Sequence, residues 1–236
     1  MSDNKDILNS LYPFTGEGGT KRDMTDAISK ACLAKAEDHL ETVKAFFAAQ
    51  NNQVAKAAEV IATSYRAGGR LLAMGNGGSS CDASHLAVEF LHPVTTGRPA
   101  LPAVNLAADT AMSTAVGNDV GFEHVFLRQV IANGRKGDCL VGFSTSGTSG
   151  NLLAAFDKAK SMGLSTIGFA GKDGGAMAKS SDVDVCLTIG SDSIHRIQET
   201  HLLIYHILWD LVHTLLADGR WVPEVDETIA RTGDTQ

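Results

Sequence analysis

Five short apolar runs, each followed by a helical pattern, constrain this chain more than any other feature of its sequence. They occupy 70–74 (RLLAM), 101–106 (LPAVNL), 138–143 (DCLVGF), 165–169 (STIGF) and 184–189 (DVCLTI). Strands this uniformly apolar are buried on both faces, and strands that alternate with helices pair in parallel. Right-handed crossovers then predict a doubly wound α/β fold, a five-stranded parallel sheet with helices on both faces. Helices are expected at 79–91, 121–134, 149–162, 173–180 and 194–217. Ahead of the first strand, Ile28, Cys32, Ala36, Leu40, Val43 and Phe47 recur at steps of three and four, which predicts a helix over 23–50. Asn51 and Asn52 are expected to end it. A second helix over 54–67 stops at Gly68-Gly69, in the manner of a glycine C-cap. Residues 1–22 are expected to form a loosely ordered arm, 23–220 a single domain, and 221–236 a tail.

Composition narrows the function. Apolar residues make up 44% of the 236 and charged residues 20%, enough for a sizeable core. No apolar run approaches the roughly 18 residues of a membrane span. The first residues lack a basic segment followed by an apolar stretch, so no secretory signal is read, and a cytoplasmic protein is expected. A net charge of −7 argues against a partner that is nucleic acid or an anionic membrane. It leaves room for a small anion held by backbone amides. Cys32, Cys81, Cys139 and Cys186 are widely spaced with no C-x-x-C pair, which predicts reduced thiols.

Two loops follow strands and open helices, the position where open parallel sheets bind ligands. The first is Gly75-Asn76-Gly77-Gly78-Ser79-Ser80. It is neither G-x-G-x-x-G nor a P-loop, so a nucleotide fingerprint is absent. Its glycines still allow close backbone approach, and a helix N-terminus favours negative charge. The second, Ser144-Thr145-Ser146-Gly147-Thr148-Ser149-Gly150, carries five hydroxyls in seven residues. Capping the next helix needs one hydroxyl. Five, with helix-start amides, suit the oxygens of a phosphate.

His85 and Glu89 stand four apart on a predicted helix, about 6 Å between Cβ atoms, a spacing that suits a shared metal or an acid–base pair. An exposed ion pair is the plainer reading. In the last helix Gln198 and His206 lie eight residues apart, about 80° around the axis, so both can reach one cleft. His201 and His213 compete for any role given to His206. Asn118-Asp119, read as a turn, can contact a sugar hydroxyl.

Seven motifs now stand in one order: Gly75-Asn-Gly-Gly-Ser79, Cys81-Asp-Ala83, His85-x-x-x-Glu89, Gly117-Asn-Asp119, Gly142-x-Ser-Thr-Ser-Gly147, Gly171-Lys-Asp-Gly-Gly175, and Arg196-Ile-Gln-Glu-x-His201 with His206. Together they closely resemble the bacterial phosphoheptose isomerases, of the sugar-isomerase (SIS) domain superfamily, from about Asp23 to Ala217. The resemblance implies an enzyme that interconverts sedoheptulose 7-phosphate and D-glycero-D-manno-heptose 7-phosphate through an enediol(ate), the first step of nucleotide-activated heptose biosynthesis. It implies a homo-tetramer with active sites at subunit boundaries. By position it implies phosphate contacts from Ser144, Thr145, Ser146 and Ser149. Further substrate contacts are implied from Asn76, Gly77, Gly78, Glu89, Asn118, Asp119 and Gln198. One Zn2+ per subunit would be held by His85, Glu89, Gln198 and His206, with Glu89 and His206 as the acid–base pair. A carboxylate on zinc is a weaker base, so either Glu89 leaves the metal during turnover or the metal chiefly positions.

The segment Phe90-Leu-His-Pro-Val-Thr-Thr-Gly97 departs from the run associated with the family, while Arg98-Pro99 is kept. The rival reading is a non-catalytic SIS tetramer that binds the replication initiator protein or senses a sugar phosphate. That binding branch does not retain both equivalents of Glu89 and His206; this chain carries both.

Overall fold

Strand β1 (Leu71–Gly75) is buried along its whole length and forms the hinge of the topology. The computed structural model describes residues 21–217. Beyond β1 the strands are β2 (Ala103–Asn105), β3 (Cys139–Ser144), β4 (Ser165–Gly171) and β5 (Val185–Ile189). They pair in parallel in the order β2-β1-β3-β4-β5. The chain thus leaves β1 to one side for β2 and returns to its other side for β3. That reversal is the switch point at which open α/β sheets leave a crevice beyond the strand ends.

The helices are α1 (Lys21–Arg66), α2 (Gly78–Leu91), α3 (Thr110–Asp119), α4 (Val125–Asn133), α5 (Gly150–Ser161) and α6 (Ile194–Leu216). Side-chain alternation along the strands divides the core in two. Leu71, Ala73, Cys139, Val141, Phe143, Ile167 and Phe169 pack with residues of α1, α2 and α6. Leu72, Met74, Leu140 and Ala170 pack with residues of α3, α4 and α5. The expected doubly wound sheet is therefore present, and α2 and α6 share one face of it.

Internal contacts divide the chain at Leu40. Of the first unit, residues 25–38 of α1 are exposed throughout, Ile28 and Leu33 among them. In the second unit Asn51 and Asn52 do not break α1, contrary to expectation; one helix replaces the predicted two. Asparagine costs a helix interior well under about 1 kcal/mol relative to alanine, and both side chains are exposed. Their neighbours hold the helix down. The Gln50 amide donates to the Thr188 carbonyl at 2.7 Å and accepts from the Thr188 N–H at 3.1 Å, and Val54, Ala57, Ala58 and Ile61 are buried.

Three other boundaries differ. Asn118 and Asp119 end helix α3, unforeseen in the sequence, rather than forming a free turn; Asp109 starts this helix by accepting the Met112 N–H at 2.9 Å. The helix expected from 121 begins at Val125, after a 3₁₀ turn at Phe122–His124. The helix expected at 173–180 is only a 3₁₀ turn at Met177–Lys179, because Gly174 and Gly175 both take positive φ. The expected arm lies outside the described residues except for its last two, and the expected tail lies wholly outside them.

Candidate active site

Between the end of β1 and the start of α2 the chain turns in two residues. Gly77 makes the turn at φ +54°, a conformation that L side chains rarely adopt. The first turn of α2 closes with Ser79 N–H on the Asn76 carbonyl and Ser80 N–H on the Gly77 carbonyl, both 3.0 Å. The amides of Gly77 and Gly78 have no partner among the described residues. They leave two donors at the head of a helix, where the partial positive charge of the axis also lies. The Asn76 and Asn151 side chains form a reciprocal amide pair, 2.9 Å in each direction, which ties this loop to the first turn of α5.

The serine-rich loop ends β3 beside it, with Gly75 and Phe143 in register. Ser149 is the N-cap of α5, yet its hydroxyl makes no capping bond. It lies 3.0 Å from the Ser144 hydroxyl, which is 3.4 Å from that of Ser146. Three hydroxyls thus converge, and the loop from 144 to 150 contains no Lys or Arg. Gly147 sits at φ +65°, and a Cβ there would run into the Gly174 carbonyl. Met177 donates its N–H to the Gly147 carbonyl at 2.8 Å, so the short turn after β4 braces this loop from behind.

On α2, His85 Nε2 lies 3.1 Å from Glu89 Oε1. On α6, the His206 ring stands 5.1 Å from the His85 ring at an interplanar angle of 82°. Ligating atoms of His85, Glu89 and His206 all lie within 4.8 Å of one another, and all three residues are half-buried. Such a set can hold a metal ion. Gln198 lies at the head of α2, since a Cβ on Gly78 would collide with its side-chain amide. The competing histidines point elsewhere. His201 is fully buried against Phe143 and Phe169, and burial lowers its pKa to about 4. His213 is buried against Phe90 and Trp209. Asn118 and Asp119 are exposed and bond to each other at 2.8 Å; no hydrogen bond among the described residues joins them to either loop.

Residues given no role in the sequence analysis complete the arrangement. The Tyr205 hydroxyl lies 2.7 Å from His85 Nδ1. Burial, aided by the Asp82 and Glu89 carboxylates, pushes the Tyr205 phenol well above its usual range, so it stays protonated. Trp209 donates its indole N–H to the Glu89 carbonyl at 2.8 Å. Asp82, on α2, is buried with Oδ2 unpartnered among the described residues; burial raises its pKa to about 6, partly opposed by His85. Asn151 was within reach of sequence reading, as a polar residue two past Ser149. Tyr205 and Trp209 were not, because each meets a partner 120 residues away.

Residues 36–171 match the SIS domain family. Over 196 residues the chain is 44% identical to the phosphoheptose isomerase of Desulfovibrio desulfuricans, spanning 83% of this chain and 92% of that protein. It belongs to the phosphoheptose isomerase family. The Roseiflexus phosphoheptose isomerase is 38% identical over 192 residues, 81% of this chain and 96% of that one. The solved phosphoheptose isomerase of Neisseria gonorrhoeae superposes with a TM-score of 0.74 at 35% identity, covering 79% of this chain and 99% of that chain. As a phosphoheptose isomerase family member the chain is an enzyme, an isomerase of carbohydrate metabolism with the SIS fold expected from its sequence. The family match ends at Gly171, the last residue of β4; α6 with His206 lies beyond it.

Proposed function

We propose that this chain interconverts sedoheptulose 7-phosphate and D-glycero-D-manno-heptose 7-phosphate through an enediol(ate). The observation that carries the reading is the meeting of His206 on α6 with His85 and Glu89 on α2, within 4.8 Å. Aldose–ketose isomerisation moves a proton between adjacent carbons while a second proton changes oxygen. It needs a base over carbon and a proton carrier over oxygen, each contributing roughly 10²–10⁴-fold. Glu89 removes the proton from the carbon next to the carbonyl and returns it to the neighbouring carbon. His206 carries the proton between the two oxygens. Ser144, Thr145, Ser146 and Ser149, with the α5 N-terminus, hold the phosphate. Asn76, the Gly77 and Gly78 amides and Gln198 meet the sugar near the reacting carbons, and Asn118 and Asp119 meet its hydroxyls.

Two imidazoles and a carboxylate form a donor set that suits zinc. His85, Glu89 and His206 would hold the ion, with the Gln198 amide as fourth ligand. Bound there, zinc supplies a Lewis acid that polarises the carbonyl and favours the enediolate oxygens. Glu89 and His85 are already within hydrogen-bond distance, so a cation between them replaces an existing contact rather than an open gap.

The exposed Ile28 and Leu33 on α1 support assembly with further copies into a tetramer, with sites at subunit boundaries. No described helix is long and apolar enough to cross a membrane, and the reading places the enzyme in the cytoplasm. The direct test is turnover in deuterium oxide. Solvent deuterium at the carbon that gains the proton, monitored by NMR, supports the enediol route; a Glu89→Gln variant that isomerises and exchanges at the wild-type rate excludes it.

A further inference from the structure

We propose that Tyr205 is a positioning residue whose hydroxyl serves His85 in both of its tautomers, and so lets one imidazole alternate between pairing with Glu89 and binding a cation. The inference rests on the reading of His85 as a metal ligand given above. Both ring nitrogens of His85 are engaged: Nδ1 lies 2.7 Å from the Tyr205 hydroxyl and Nε2 lies 3.1 Å from Glu89 Oε1. A carboxylate only accepts. In neutral His85 the Nε2 proton must therefore point at Glu89, and Nδ1 is left as an acceptor. Tyr205 then donates. A cation on Nε2 needs that lone pair, so the proton moves to Nδ1, and Tyr205 must accept.

A carboxylate or a backbone carbonyl, the common partners behind metal-binding histidines, would fit only the second state. In the first state it would face an unprotonated Nδ1. A hydroxyl fits both, because it rotates. Tyr205 is 1% exposed, so its hydroxyl is held against His85 by the surrounding core. Its ring is held edge-on to Phe143 and to His85, which fixes where the hydroxyl sits. The contact also links the two candidate centres, since Phe143 immediately precedes Ser144 at the start of the serine-rich loop.

The test uses the full chain, metal-free and loaded with zinc, as wild type and as Tyr205→Phe. Long-range ¹H–¹⁵N NMR at pH 8 reads the His85 tautomer. It should show the Nε2-protonated form without metal and the Nδ1-protonated form with zinc. Chelator competition reads zinc affinity, which should fall 10–100-fold in Tyr205→Phe, while the metal-free variant keeps the Nε2-protonated form that Glu89 dictates. An unchanged zinc affinity in a folded Tyr205→Phe overturns the role of Tyr205 alone. A wild-type protein that takes up no zinc, or whose uptake survives His85→Ala, overturns the metal reading and this inference with it. If Tyr205→Phe does not fold, a single tautomer common to metal-free and zinc-loaded wild type still overturns the proposal.

Discussion

The indole N–H of Trp209 donates to the backbone carbonyl of Glu89 at 2.8 Å. That carbonyl lies in the last turn of α2, where the helix has no further N–H to offer it. The bond fixes α6 to α2 at the residue read as the base, and three residues before Trp209 the same helix carries His206. The Arg98 guanidinium lies 5.4 Å from the Trp209 ring centroid and bonds Asp210 at 2.6 Å, which holds the indole in place. The separation of Glu89 and His206 is thus set by helix packing and not by either side chain alone.

Because that frame survives a change at the carboxyl, Glu89→Gln should leave the fold intact and lower kcat by roughly 10²–10⁴-fold. Circular dichroism and steady-state turnover check the two halves. Turnover within twofold of wild type would remove Glu89 from the chemistry.

Ser144, Ser146 and Ser149 converge in a loop that contains no Lys or Arg, so the anion falls to the hydroxyls and the helix-start amides. A hydrogen bond to a charged group contributes about 1.5–3 kcal/mol. Replacing both Ser144 and Ser146 by alanine should therefore raise KM for a phosphorylated sugar at least about tenfold with little change in kcat. An unchanged KM would move the phosphate elsewhere.

Gly147 is doubly constrained, by its φ of +65° and by the Gly174 carbonyl that occupies the place of a Cβ. Gly147→Ala should cost about 2 kcal/mol or more and should also weaken substrate binding by shifting the loop. A urea midpoint equal to that of the wild type would show that the loop yields.

Buried His201 predicts a pH dependence of stability. Its folded pKa, about 4, lies below the 6.5 of a free histidine because burial disfavours the charged ring. Between these values the unfolded chain binds more protons. Stability is fully present above pH 6.5, falls as pH drops, and has lost this contribution by pH 4. Relative to His201→Leu, the wild type should lose about 2–3 kcal/mol between pH 7.5 and 4.5. Urea unfolding of both proteins across that range checks it. Parallel curves would mean that His201 does not titrate as buried.

The five strands, the switch-point loops and the His85–Glu89 pair were legible because each is written in local sequence: uniform apolarity, glycine, hydroxyl density, a four-residue step. What was not legible came from distant contacts. The Asn51-Asn52 break failed because Gln50 is tied to Thr188 on β5. The ambiguity among His201, His206 and His213 ended only when the sheet took up the ring of His201 and Phe90 with Trp209 took up that of His213. Nothing in the local sequence marks Tyr205 until the fold sets it against His85. The helix through Asn118 and Asp119 was missed because its start depends on one side chain, Asp109.

The central claim is an isomerase built from Glu89 on α2 and His206 on α6. Its most direct test is incubation of the metal-loaded protein with sedoheptulose 7-phosphate, with product identified by NMR, and again after chelation and zinc restoration. D-glycero-D-manno-heptose 7-phosphate is the expected product, lost on chelation and restored with zinc. A folded, zinc-loaded protein that leaves sedoheptulose 7-phosphate unchanged would contradict it.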